Sequence, residues 1–238
     1  MPSLEAYKRN LDYSYAPGMF PCMEAVCKRP EWVRKVLLSS RAEGEGVVKL
    51  RELCSAKGIR IEEADKVLAR ISGKDNCFAA AVFSKKEAKL VPGRHIVLHH
   101  ISDSGNLGTI LRSALAFGYH DIAVINPATD PFDPRTIRAS MGAVFSLRLK
   151  TYGSFEEYRE EYSGQKCFPF MLTGSVLPEE ACRQKGSEFS LITGNEGSGL
   201  PEEFAEIGIP VRIPQSDDVD SLNLSIAASI GMYLFSRD

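Results

Sequence analysis

From His95 to the C-terminus the chain repeats one pattern: a short, almost wholly apolar run, then a segment with helical spacing. The runs are "IVLHHI", "DIAVINP", "AVFSLRLKTY", "CFPFMLTG", "FSLITGN" and "GIPVRIP". Between and after them stand the helix candidates "SGNLGTILRSALAFG", "DPRTIRASMG", "SFEEYREEY" and "VDSLNLSIAASIGMYLFS". A strand with one wet face alternates apolar and polar residues, whereas a strand apolar throughout is covered on both faces. Such strands alternating with helices predict an α/β fold with a mainly parallel sheet and helices on both faces.

The front of the chain reads differently. Residues 1–30 carry Pro2, Pro17, Gly18, Pro21 and Pro30 and read as an irregular extension. From Glu31 a compact α/β pattern follows: "WVRKVLLSS", "IRI" and "CFAAAVFS" as strands, with helices ending at Gly58 and Gly73. The charged stretch "KKEAKLVPGRH" reads as a linker. The expected organisation is an extension (1–30), a small domain (31–90) and a larger domain (91–238).

The chain has 238 residues, room for two such domains. It contains no apolar run of about 18 residues, so no membrane span is expected. Its first residues lack the apolar core of a secretory signal. The six cysteines form no C-x-x-C pair, which argues against a thiolate zinc site and for reduced thiols. These features predict a cytoplasmic protein. The net charge of −2 hides an asymmetry: residues 1–94 hold 18 Lys+Arg against 12 Asp+Glu, and the remainder 11 against 19. A basic front end is suited to meeting phosphates.

Ligands of an open parallel sheet gather at the carboxyl ends of its strands. Three such ends carry unusual residues: "HISDSGNLGTILR", "LITGNEGSGLP" and "VRIPQSDDVDSLNLS". In the first, Leu107, Ile110, Leu111, Ala114 and Leu115 make one apolar stripe, with Gly105-Asn106 as a turn before it and Gly118 as a stop. Arg112 lies about 100° off that stripe, alone in a nearly uncharged helix. In the second, Gly194, Gly197 and Gly199 permit positive φ or close approach to a ligand, and Glu196 stands between two glycines. The spacing G-x-x-G-x-G is neither the dinucleotide fingerprint nor the P-loop, which argues against the more remote alternative of a nucleotide-binding oxidoreductase. In the third, Ser221 reads as the cap of the final helix, leaving the Asn223 amide free for a ligand. His95, His99, His100 and His120 lack metal-ligand spacing, and no metal is expected. His99 and His100, neighbours in a strand, are expected to face opposite sides. The acidic run "FEEYREEY" reads as a solvated helix face.

Taken together, the three stretches resemble the signature motifs of the SpoU (TrmH) branch of the SPOUT RNA methyltransferases. The first motif, N-x-G-x-x-x-R, is matched by "NLGTILR"; the second by "GNEGSGL"; the third by "IPQSDDVDSLNLS". "IRASMGAVF" is similar to the family's middle section. Ser104 stands where the family usually has Pro, and Gln215 where it has Met; neither replaces a reacting group. The segment from Val33 to Phe83 resembles the family's L30e-like substrate-binding domain, although "KDNCF" replaces the usual His-x-Gln-Gly turn.

The resemblance implies a deep trefoil knot, S-adenosylmethionine as cofactor held by Thr193, Gly194, Ile213 and Leu222, and a homodimer formed through the knotted domain. Ile226, Ile230, Tyr233, Leu234 and Phe235 of the last helix would supply part of that interface. It implies methyl transfer to a ribose 2′-hydroxyl of RNA, ribosomal RNA being favoured over tRNA. Arg112 would stabilise the forming alkoxide, and the sequence leaves open whether it also takes the proton. Asn106 and Glu196 would hold Arg112 and the loop, and Ser221 and Asn223 would position the ribose. The alternatives are a tRNA methyltransferase and a non-catalytic RNA-binding protein of the same fold.

Overall fold

A computed structural model of the protein describes residues 4–72 and 77–237. The Lys74-Asp75-Asn76 turn and the Gly73 helix stop lie outside the described residues. In chain order the elements are β1 (Tyr13–Pro17), α1 (Met19–Lys28), β2 (Val33–Leu38), α2 (Glu45–Ala56), β3 (Ile61–Glu63), α3 (Asp65–Ser72), β4 (Ala79–Ser84), β5 (Arg94–His99) and α4 (Ser104–Ala116). They continue with β6 (Asp121–Ile125), α5 (Pro134–Ala139), β7 (Arg148–Tyr152), α6 (Phe155–Glu161), β8 (Lys166–Pro169), α7 (Pro178–Cys182), β9 (Phe189–Thr193), α8 (Phe204–Ile207) and α9 (Leu224–Ser236).

The chain divides into two units, one of residues 1–86 with 130–146, the other of residues 87–129 with 147–238. The first holds a four-stranded sheet in the order β1-β4-β2-β3, in which β4 runs antiparallel to β1 and β2, and β3 pairs parallel with β2. Tyr15, Leu37, Leu68, Ala80 and Val82 fill part of its core. The expected irregular extension is therefore corrected, because it supplies β1 and α1. Pro17 ends a strand and Pro21 sits in the first turn of a helix, places where a missing N–H costs nothing. The expected unbroken domain over 91–238 is corrected too. Residues 130–146 belong to the first unit, where Phe83 packs edge-on against Phe132 and Phe145, and Tyr7 and Lys85 both bond to Asp130.

The second unit is a five-stranded sheet, β7-β6-β5-β9-β8, parallel throughout. β6 and β9 are buried along their whole length and β5 along all but its first residue, which explains runs with no polar alternation. At their start the buried polar groups pair with one another: Tyr158 Oη lies 2.8 Å from His95 Nδ1 and 2.6 Å from Ser190 Oγ, and Arg148 grips Asp121. The acidic run is solvated on one side only, since Phe155 and Tyr158 of α6 are buried in the core.

Two further expectations fail locally. "GIPVRIP" forms no strand; Val211 makes single bridges to Phe170 and Val176, and Pro210 and Pro214 remove the donors a longer ladder needs. The final helix begins at Leu224 rather than near Val219. Among the described residues no helix is long and apolar enough to cross a membrane.

Candidate active site

β5 and β9 are neighbours in the sheet, so the chain leaving each emerges side by side. Leu98 pairs with Thr193, and the turns that follow are clasped together by one carboxylate. Glu196 Oε2 accepts from Ser102 N at 3.0 Å and Ser102 Oγ at 2.8 Å; Oε1 accepts from Asp103 N at 3.0 Å and Asn106 Nδ2 at 3.3 Å. Burial pushes this carboxyl up, but the donors outweigh it and hold its pKa below the ordinary carboxylate value.

Asp103, not the Gly105-Asn106 turn, caps α4, accepting from Asn106 N at 2.7 Å. Asn106 is left with both ends of its amide engaged, because its Oδ1 accepts from Asn223 Nδ2 at 3.1 Å. Asn223 in turn caps α9: its Oδ1 accepts from Ser225 N at 2.9 Å, Ser225 Oγ at 2.7 Å and Ile226 N at 3.3 Å. This corrects the expectation that Ser221 caps the helix while the Asn223 amide stays free. The three signature stretches are thus joined by a hydrogen-bonded line, Glu196–Asn106–Asn223.

Arg112 stands apart from that line. It is exposed and, among the described residues, makes no hydrogen bond and no ion pair. The expectation that Asn106 and Glu196 hold Arg112 is therefore corrected, since their polar atoms are taken up by the loop and by Asn223.

Beside the line lies a cavity of about 380 Å³, within the usual range for small-molecule cofactors. Its wall includes Thr193, Gly194, Ile213 and Leu222, together with Glu196 and Ser221; Asn106, Arg112 and Asn223 are outside it. Thr193 is 3% exposed and its Oγ1 has no partner. A buried hydroxyl without a partner is costly, and a ligand in the cavity would relieve that cost. Gly194 is required for space rather than dihedral freedom: a Cβ there would sit 2.2 Å from the Gly199 carbonyl carbon. Gly199 alone of the three loop glycines has positive φ, at 68°. Asn195, which the sequence reading passed over, shapes this loop. Its Oδ1 accepts from Gly197 N at 2.8 Å and its Nδ2 donates to His100 O at 2.9 Å. The signal was present as an Asn ahead of a glycine-rich turn, where side-chain-to-backbone bonds are common.

His100 has left the strand, with φ 58°, and its ring stacks on His99 at 3.7 Å rather than facing the other side. Burial and the neighbouring His100 push His99 down to about 4. On α9, Phe235 is wholly buried against Phe168 and Phe189, so it is unavailable to any partner; Ile226 and Tyr233 are exposed.

Residues 93–233 match the model of the SpoU rRNA Methylase family. The chain is 33% identical over 141 residues to a ribosomal RNA small subunit methyltransferase G 2 of Syntrophobacter fumaroxidans, covering 59% of this chain and 27% of that one. It is 30% identical over 159 residues to a 23S rRNA (guanosine(2553)-2′-O)-methyltransferase of Bacillus subtilis, covering 65% and 62%. It thus spans less than two thirds of each of these relatives. An AdoMet-bound rRNA methyltransferase from Sinorhizobium meliloti has a similar structure, with 28% identity, a TM-score of 0.79 and coverage of 94% of this chain and 87% of that one. With the family model spanning the parallel sheet and all three signature stretches, the chain belongs to the SpoU rRNA methylase family.

Proposed function

We propose that the protein transfers a methyl group from S-adenosylmethionine to a ribose 2′-hydroxyl of RNA, with ribosomal RNA as the substrate. The observation that carries this reading is the cavity itself. It is walled by glycine turns, apolar side chains and one unpartnered buried hydroxyl, and it abuts the hydrogen-bonded line linking the three motifs. The resemblance to an AdoMet-bound rRNA methyltransferase supports the cofactor. The resemblance to a 23S rRNA 2′-O-methyltransferase supports both substrate and position.

The residues fit such a cofactor. Thr193 Oγ1 offers a hydrogen bond, Gly194 leaves the backbone open to close approach, and Ile213 and Leu222 give an apolar bed. When bound, the cofactor supplies an electrophilic methyl on a sulfonium. The chain's task is then the nucleophile. A ribose hydroxyl is a weak acid and must be aligned while its charge grows. Arg112, exposed and unpartnered, has its guanidinium free to hold a phosphate or the forming alkoxide. Ser221, on the cavity wall with no partner among the described residues, positions the ribose. Asn106, Asn223 and Glu196 act through one another, fixing the start of α4, the start of α9 and the loop between them.

In this reading the first unit, with its excess of basic side chains, is an L30e-like domain that meets RNA phosphates. The C-terminal part of the second unit is knotted, the protein works in the cytoplasm, and it dimerises through the exposed part of α9. Labelled S-adenosylmethionine offered with ribosomal RNA and tRNA transcripts side by side tests the substrate. Label in ribosomal RNA alone is expected, and label in tRNA alone overturns the choice. Tight cofactor binding with no transfer to free or ribosome-bound RNA would favour a non-catalytic binder.

A further inference from the structure

The third signature stretch carries charge in the loop between two residues of the cavity wall. Between Gln215 and Ser221, both on the cavity wall, lie Asp217, Asp218 and Asp220. All three are exposed and make no ion pair among the described residues. The loop is folded back on itself: Gln215 Nε2 donates to Asp220 O at 3.2 Å, and Ser216 Oγ to Asp218 Oδ2 at 2.6 Å. Glu202, on the wall itself, is likewise exposed and without an ion pair. Glu196 is different, because its charge is taken up by five donors. Among the described residues the wall contains no Lys, Arg or His. Among the described residues, Thr193 Oγ1 is the buried side-chain polar atom of the wall that has no partner, and a ligand in the cavity would supply one.

A cavity with an unbalanced carboxylate on its wall, three more in the loop joining two wall residues, and no cation among its described wall residues favours a ligand of net positive charge. Resting on the cofactor reading above, this bears on the two states that the cavity must tell apart. In the transfer the sulfur–methyl bond breaks with its electron pair returning to sulfur. A carbon–oxygen bond forms, and the hydroxyl proton leaves to solvent. The methyl donor, with sulfonium, ammonium and carboxylate, carries a net charge of +1; the demethylated product carries none. We infer that Asp217, Asp218, Asp220 and Glu202 are specificity-determining residues that hold the cationic donor and release the neutral product.

The test is calorimetric titration of the full chain with S-adenosylmethionine and, separately, S-adenosylhomocysteine, at about 25 mM and about 300 mM salt. Across that range the screening length falls from about 20 Å to about 6 Å. The donor-over-product preference of the unaltered protein is expected to shrink about threefold at high salt. D217N/D218N/D220N is expected to weaken donor binding about three- to fivefold at low salt and leave the product's Kd unmoved; Glu202→Gln shifts it the same way by less. Equal changes in both ligands, or no change in either, overturn the inference. If the unaltered protein binds neither ligand, the cofactor reading itself fails. If the triple variant does not fold, the salt series and Glu202→Gln still decide.

Discussion

Glu196 receives three hydrogen bonds from a single turn, a fourth from Asn106 and a fifth from Asn195, so its charge is held by the loops it organises. Its depressed pKa fixes the sign of a pH effect. The contribution is full above the ordinary carboxylate range and is lost as pH falls through the depressed value. Cofactor affinity is therefore expected to be flat from neutral pH to about 5 and to fall only in more acidic solution. Glu196→Gln, which turns an NH2 towards donors, is expected to weaken binding about tenfold at neutral pH, as calorimetry would show. His99 gives a second sign. It is neutral in the fold at about 4 against an ordinary 6.5, so stability is full above 6.5 and declines as pH falls towards 4. Urea midpoints measured from pH 7 to 5 should drop, and His99→Leu should flatten the slope. If Arg112 acts on the reacting oxygen as proposed, Arg112→Ala is expected to slow methyl transfer at least about 100-fold with cofactor affinity nearly unchanged, because its unpartnered guanidinium lies outside the cavity. Arg112 was legible as an unexplained charge on a helix. What was not legible was the Asn106–Asn223 bond, which joins residues 117 apart in sequence.

At the scale of elements, α9 lines the cavity with Leu224 and Ala227 and also bears on it through Phe170. Phe170 lines the cavity and presses on Gly231, where an added Cβ would fall 2.5 Å from the ring's Cζ. Gly231→Ala must therefore push Phe170 towards the cavity. The expected results are a loss of about 1–3 kcal/mol of stability and weaker cofactor binding in the same variant, read by denaturant unfolding and calorimetry. The types of β5, β6, β9, α4 and α6 were legible because doubly covered strands and amphipathic helices have distinct periods, whereas "GIPVRIP" is largely apolar without being a strand. The start of α9 was not, since Ser221 read as its cap and Asn223, two residues on, serves instead. The bonds that Ser225 N and Ile226 N donate to Asn223 Oδ1 settle it. β1 and α1 were hidden by prolines that sit at their ends rather than within them.

At the scale of the molecule, the charge asymmetry of the chain survives the revised division. The inserted segment 130–146 adds two arginines and two aspartates, leaving the first unit's basic excess in place. RNA affinity is expected to fall steeply with salt. Replacing the exposed Lys49, Arg51 and Lys57 by Gln should lower the slope of log Kd against log salt by up to about 2, with cofactor affinity unaltered. Truncation is the wrong tool for this. A chain starting at residue 87 would lose the partners of Phe132, Ile137, Val144 and Phe145, all buried within the first unit, and is expected to aggregate. That insertion had no local signature. Residues 134–139 read as a helix wherever they pack, and only tertiary contacts assign them to the first unit.

The central claim is the position of the transferred methyl group. Ribosomal RNA labelled by the protein from S-adenosylmethionine would be hydrolysed in alkali and its products separated. A 2′-O-methyl group blocks cleavage at its own phosphodiester, so all the label is expected in an alkali-resistant dinucleotide. Label released in mononucleotides would place the methyl on a base and contradict the account.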